Sequence, residues 1–268
     1  MKHLAIFLLL LPFLSFSQTD SIVNYTDING MKQGYWVKKD ANGQKIYEGY
    51  FKNNIPYGEM KRYHSNGVLK ATMVFDKKNQ SIVKVTYFDD TGELSATGFF
   101  YDKKRDSVWQ YFGAEAKLVG EEHYIRGKKN GVSKKFYPNG KVVEEIWYKN
   151  DKLDGPWIRY YENGSMRMKT QQVNDKRIGD FYSYFDDGKV EIKGFYKDDI
   201  KDGTWKKFDT KGGLVKEMKF VNGKLENEEQ LDKEFTKELE DAEKDKEKFK
   251  DPELELNQNN GSPQGGGE

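Results

Sequence analysis

A pattern that returns every 24 residues constrains this chain more than any other feature of it. Aligned on a glycine followed two residues later by an aromatic, units begin at Gly34, Gly58, Val83, Ser107, Gly131, Gly155, Gly179 and Gly203, with one interval of 25 and the others of 24. A constant period of this length marks a repeat architecture, in which each unit buries its apolar side against its neighbours.

The third position of the unit is Trp36, Met60, Val85, Trp109, Ser133, Trp157, Phe181 or Trp205, and the sixth is aromatic in every unit but the first. A turn follows, ending on Gly43, Gly67, Gly140, Gly164 or Gly188 after Asn or Asp. Those pairs supply the positive φ angles of a tight hairpin, and Pro138 presets one such turn. The return strand carries an apolar residue at position 12 (Leu69, Leu118, Val142, Val190) and an aromatic at position 18 (Phe51, Phe100, Tyr124, Tyr196). Gly49, Gly98 and Gly194 at position 16 allow close backbone approach. Even parity puts positions 12, 16 and 18 on one strand face. Positions 3 and 6 have opposite parity, so either a bulge separates them or both faces carry aromatics.

A second polar connection, such as Lys149-Asn150-Asp151-Lys152, leads into the next unit. Every link is then a hairpin, and the expected fold is all-β: an elongated single-layer antiparallel meander. At about 4.8 Å per strand, eight two-strand units extend roughly 77 Å. Aromatics at 15% against 6 prolines suit glycine-punctuated strands whose buried area comes from Tyr, Phe and Trp.

Residues 1–17 read as a signal peptide, with Lys2 and His3 ahead of the apolar run Leu4 to Leu14, and small Ser15 and Ser17 before Gln18. The run is too short to span a bilayer, so a non-transmembrane, exported chain is expected. With no cysteine, the chain has neither disulfides nor thiolate chemistry. Export without disulfides points to a bacterial periplasmic or extracellular protein. The net charge of +1 hides an asymmetry. From Glu226 to Glu255 there are 14 acidic and 6 basic residues, leaving about +9 on Gln18 to Leu225.

The pattern G-x-W-x-x-Y/F-x-x-N-G, with a G-x-Y/F return strand and N-G-K-x-D-G, resembles MORN repeats, and more closely their bacterial variant, often catalogued as an antitoxin component of toxin-antitoxin systems. The likeness covers Gly34 to about Glu226 and is strongest in Gly131 to Asp154 and Gly155 to Ile178. It weakens from Val83 to Asn130, where the leading glycine is replaced and Gly113-Ala114-Glu115-Ala116 lacks the usual turn. The resemblance implies a protein partner and an antitoxin-like or immunity-like role.

Around this array, residues 18–33 are expected to form a degenerate capping repeat for the first edge. Residues 227–252, with Leu231, Phe235, Leu239, Ala242 and Phe249 at helical spacing, are expected to form a charged helix, and 253–268 a disordered tail.

Chemistry is sparse. His64 and His123 are the histidines of the mature chain, and no nucleophile elbow, zinc-binding H-E-x-x-H or phosphate-binding glycine loop occurs. The stretch from Asp198 to Gly203 fails the EF-hand pattern, because Ile200 and Asp209 stand at its third and twelfth places. No catalytic residue, metal ligand or cofactor is expected, and the chain reads as non-enzymatic. Trp36, Trp109, Trp157 and Trp205 are the candidate ligand contacts, as an aromatic ladder able to stack on sugar rings or flank lipid headgroups. The alternative for them is the sheet's own core. The expected function is a protein-interaction or scaffold module of the cell envelope, with a protein or an anionic envelope component as partner and no nucleic acid. A glycan- or lipid-binding surface module is the rival.

Overall fold

A computed structural model describes residues 22–226. The predicted signal peptide, charged helix and tail lie outside the described residues. Within them, 19 strands from Tyr25–Thr26 to Lys224–Leu225 form one antiparallel sheet. Pairing runs from each strand to the next in chain order, with Lys128–Lys129 and Gly131–Phe136 both paired to Leu118–Ile125. One short 3-10 turn, Ala114–Ala116, replaces the usual glycine turn, with positive φ at Glu115 and Ala116.

The two kinds of turn do different work. In the first, Asp or Asn closes the loop on itself: the Asn42 and Gln44 amides both donate to Asp40 Oδ1 at 2.9 Å, and Gly43 takes φ +82°. The second is a two-residue turn with both residues at positive φ, as at Asn150-Asp151, Asn174-Asp175 and Asp198-Asp199. Its second side chain reaches the preceding turn. Asp151 Oδ1 accepts from the Lys129 amide at 2.7 Å, Asp175 Oδ1 from Leu153 at 2.7 Å, and Asp199 Oδ1 from Arg177 at 3.0 Å. These polar residues therefore lace successive hairpins together along one margin of the sheet.

The ladder carries bulges at fixed places. Within each long hairpin it shifts between positions 5 and 6, with the additional residue on the return strand: Tyr111 faces Gly120, but Phe112 faces Leu118. Position 6 therefore points to the face opposite position 3, and both faces carry aromatics. A second shift accompanies the leading glycine. Gly58, Gly155, Gly179 and Gly203 take φ of +69°, +141°, +73° and +68°, and the ladder slips beside them. Where Val83 replaces glycine, the pairing of Leu69–Phe75 with Ile82–Phe88 runs without a shift, because a β-branched residue does not enter the left-handed region. Ser107 keeps the bulge at φ +59°.

Across the sheet, position 3 of one strand faces position 16 of the next, giving a continuous row. Trp36 pairs with Gly49, Met60 with Met73, Val85 with Gly98, Trp109 with Glu122, Ser133 with Ile146, Trp157 with Thr170, Phe181 with Gly194 and Trp205 with Met218. Two apolar clusters lie on this row, one around Val85, Ala96, Trp109 and Tyr111, the other around Ile192, Tyr196, Trp205 and Met218. A single sheet buries these side chains by folding large rings over glycines. The Trp109 indole covers Gly98 and the Trp205 indole covers Gly194, where an added Cβ would stand 2.4 and 2.1 Å from ring carbons. The expected close approach at position 16 is thus between a ring and a backbone, not between two backbones.

Candidate functional site

Basic side chains precede the aromatics of the row and lie over them. Lys32 Nζ is 4.8 Å from the Trp36 ring centroid, Arg105 Cζ is 4.7 Å from Trp109, Arg177 Cζ is 4.3 Å from Tyr196, and Lys201 Nζ is 4.9 Å from Trp205. Such contacts contribute about 0.5–2 kcal/mol each, more where the cation is desolvated. They hold a file of positive charge along the face that carries the core.

Between the two apolar clusters this face becomes polar. Glu122 occupies position 16, Lys129 stands where Arg105 and Lys201 stand elsewhere, and Ser133 replaces the large side chain of position 3. Glu122 Oε2 accepts from Tyr111 Oη at 2.7 Å and Tyr124 Oη at 2.6 Å, while Lys129 Nζ lies 2.5 Å from Oε1. Arg105 Nη1 donates to both phenol oxygens, at 3.0 and 3.1 Å. Burial by itself would raise the pKa of Glu122, but the bonds from Lys129, Tyr124 and Tyr111 hold it below its ordinary value. Burial likewise opposes the charge on Lys129, and Glu122 overrides it, raising the lysine pKa. Burial, then the adjoining Glu122 carboxylate, push the Tyr111 phenol far up. The group is therefore a charged pair clamped by two neutral phenols.

Beside it a pocket of ≈ 110 Å³ opens, lined by Tyr111, Glu122, Lys129, Ser133, Ile146 and Tyr148 among others. Ser133 is too small to cover this space. Its Oγ is buried without a hydrogen-bond partner among the described residues. Further along, Glu144 Oε1 accepts from Trp157 Nε1 at 2.8 Å and lies 3.7 Å from Arg159 Nε. Gln172 and Thr170, 3% and 6% exposed, continue the polar stretch.

The four tryptophans do not share one environment. Trp109 and Trp205 are 1% and 0% exposed and offer no ring face to a ligand, which corrects the ladder for those two: each indole fills the space over a glycine. Trp36 and Trp157 are half-buried, and their Nε1 atoms donate to the Tyr25 and Gln33 carbonyls and to Glu144, respectively. The turn glycines Gly43, Gly67, Gly140, Gly164 and Gly188 all take positive φ, from 81° to 95°. His64 Nε2 lies 3.0 Å from the Phe88 carbonyl, and His123 Nε2 3.5 Å from Glu121, so their polar partners are not hydroxyl nucleophiles. Among the described residues, no three His, Asp or Glu side chains are grouped to hold a metal ion, and no helix is long and apolar enough to cross a membrane.

Sequence reasoning missed Glu122, Lys129 and Ser133 as a unit. The signal was present, because Ser133 is the one small polar residue at position 3 and Glu122 the one charged residue at position 16.

No curated protein sequence matches the chain. Among solved structures, TarM aligns with 19% identity over 35% of this chain and 20% of its own, with a TM-score of 0.27. A mutant of S. aureus TarM in complex with fondaparinux, α-GlcNAc-glycerol and UDP aligns with 19% identity over 36% and 19%, TM-score 0.29. A Photorhabdus luminescens Tc holotoxin pore aligns with 11% identity over 70% and 13%, TM-score 0.18. The chain thus spans about a fifth or less of the length of each of these three structures. The MORN repeat variant matches residues 56–77, 129–150, 153–174, 177–198 and 201–222, each one long hairpin of the sheet described above. At these five places the chain carries repeats of the MORN variant type.

Proposed function

We propose that this chain is an exported, non-enzymatic interaction module of the bacterial cell envelope, in which the hairpin array is a rigid frame for a protein partner. The observation that carries the reading is the file of cations over aromatics, from Lys32 through Arg105 and Lys129 to Lys201, repeated along one sheet face. A basic, aromatic-backed stripe of this kind complements an anionic protein surface and steers its approach. The antitoxin-like role of the bacterial MORN variant fits the same reading, as an immunity factor against an envelope-acting toxin. Export rests on the character of residues 1–17.

The test is co-purification from envelope fractions with the mature chain as bait. Recovery of one stoichiometric protein, weakened when Lys32 is reversed to Glu, is the expected result. Retention on cell-wall material after protein has been stripped from it would overturn the reading in favour of glycan or lipid binding. That rival draws on Trp36 and Trp157, the two indoles of the row that keep exposed surface.

A further inference from the structure

We propose that the notch between Glu122 and Ser133 is a binding site for one aromatic ring with an N–H edge, supplied by an indole side chain of the protein partner. This rests on the interaction reading above and names the anchor within it.

The equivalent places in the array show what the notch accommodates. In the strands Lys104–Phe112 and Ile200–Phe208, Trp109 and Trp205 lie beneath the cations Arg105 and Lys201. At Gly131–Phe136 the cation is kept as Lys129, with Tyr111 and Tyr148 on either side, but the ring is missing because the residue is Ser133. The space is left as the ≈ 110 Å³ pocket. A cavity of about 150 Å³ accepts benzene, so this one takes a single ring part of the way in, with its point of attachment left outside. That geometry suits a side chain projecting from a folded partner, and ring-filled pockets are where binding energy concentrates at interfaces.

The polar groups fit the same guest. Lys129 Nζ is 5.3 Å from the Tyr148 ring and lines the pocket, so it can cap a second ring as Lys201 caps Trp205. Glu122 and Glu144 border the pocket as acceptors, and Glu144 already accepts an indole N–H, from Trp157 at 2.8 Å.

The test titrates N-acetyl-L-tryptophanamide into the full chain by calorimetry, with the Tyr111 and Tyr148 ring resonances as reporters. Saturable binding is expected, weakened at least tenfold by Ser133→Trp, which fills the notch from within. Should that variant fail to fold by circular dichroism, Ser133→Met, after Met60 at the equivalent place, gives the same readout. No saturable binding, equal binding by a folded variant, or preference for N-acetylglucosamine over the indole would overturn the proposal. Envelope capture by the same variant separates the two readings. A partner still captured by a variant unable to bind the indole overturns the anchor and leaves the interaction reading standing. Indole binding with no protein captured removes the partner and leaves only the ring site.

Discussion

The indole of Trp205 lies so close over Gly194 on the preceding strand that a methyl group on that glycine would stand 2.1 Å from Cδ2. The ring has no second sheet to pack against, so the flat floor that glycine provides is what lets it reach 0% exposure. Gly194→Ala should cost about 2 kcal/mol, typical of overpacking a filled site, seen as a lowered urea midpoint. Gly120→Ala meets nothing nearer than 3.5 Å and should change the midpoint far less. Equal losses at the two glycines would refute the floor argument.

Ser107 sits at φ +59° where most equivalent residues are glycine. The left-handed region costs a non-glycine residue roughly 1–2 kcal/mol, partly offset by the roughly 0.5–1 kcal/mol of added chain entropy that glycine brings. Ser107→Gly should therefore stabilise the fold by up to about 1 kcal/mol, readable as a raised Tm. A lowered Tm would show that the hydroxyl contact with Asp106 Oδ2 at 3.1 Å outweighs the strain.

Lys129→Met removes one half of a largely buried pair and strands the Glu122 carboxylate. Breaking such a pair costs about 3 kcal/mol or more. The further substitution Glu122→Gln should recover part of that loss, because the neutral amide tolerates burial. If the double variant is no more stable than the single one in chemical denaturation, the pair is not coupled.

Glu48 accepts from Tyr35 Oη at 2.9 Å, from Tyr63 Oη and from Lys45 Nζ at 2.7 Å. Burial opposes its charge, yet these bonds hold its pKa down to about 2, against an ordinary value of 4.5. A folded value below the unfolded one means that the stabilisation is complete above pH 4.5 and is lost as pH falls towards 2. Glu48→Gln should flatten the acid limb of the stability curve in that window. An unchanged limb would exclude Glu48 as its source.

Much of this architecture was readable from residue spacing. Asn163-Gly164 and Asp187-Gly188 mark hairpins by local chemistry alone, since positive φ is a property of those residues and not of their surroundings. What spacing could not supply was cross-strand register. The two bulges flanking this strand decide that Trp205 meets Gly194, and a bulge leaves only an indirect trace, such as the glycine that heads the unit. The polar notch was legible only in part: Ser133 and Glu122 each stand out at their unit positions, but they lie 11 positions apart, and only the register shows that they adjoin one pocket. The connection holding Asp151 was read only as a link between units, whereas the side chains of Asp151, Asp175 and Asp199 also tie neighbouring turns together.

Strand pairing that runs only between consecutive segments also shapes how the molecule is made. Each newly synthesised hairpin needs only its predecessor as a template, so folding can keep pace with the emergence of the chain. At any moment the growing array has one advancing edge, and the next 24 residues cover it. At that edge, aggregation through unpaired strands, the chief hazard of large sheets, is thereby confined to one strand at a time.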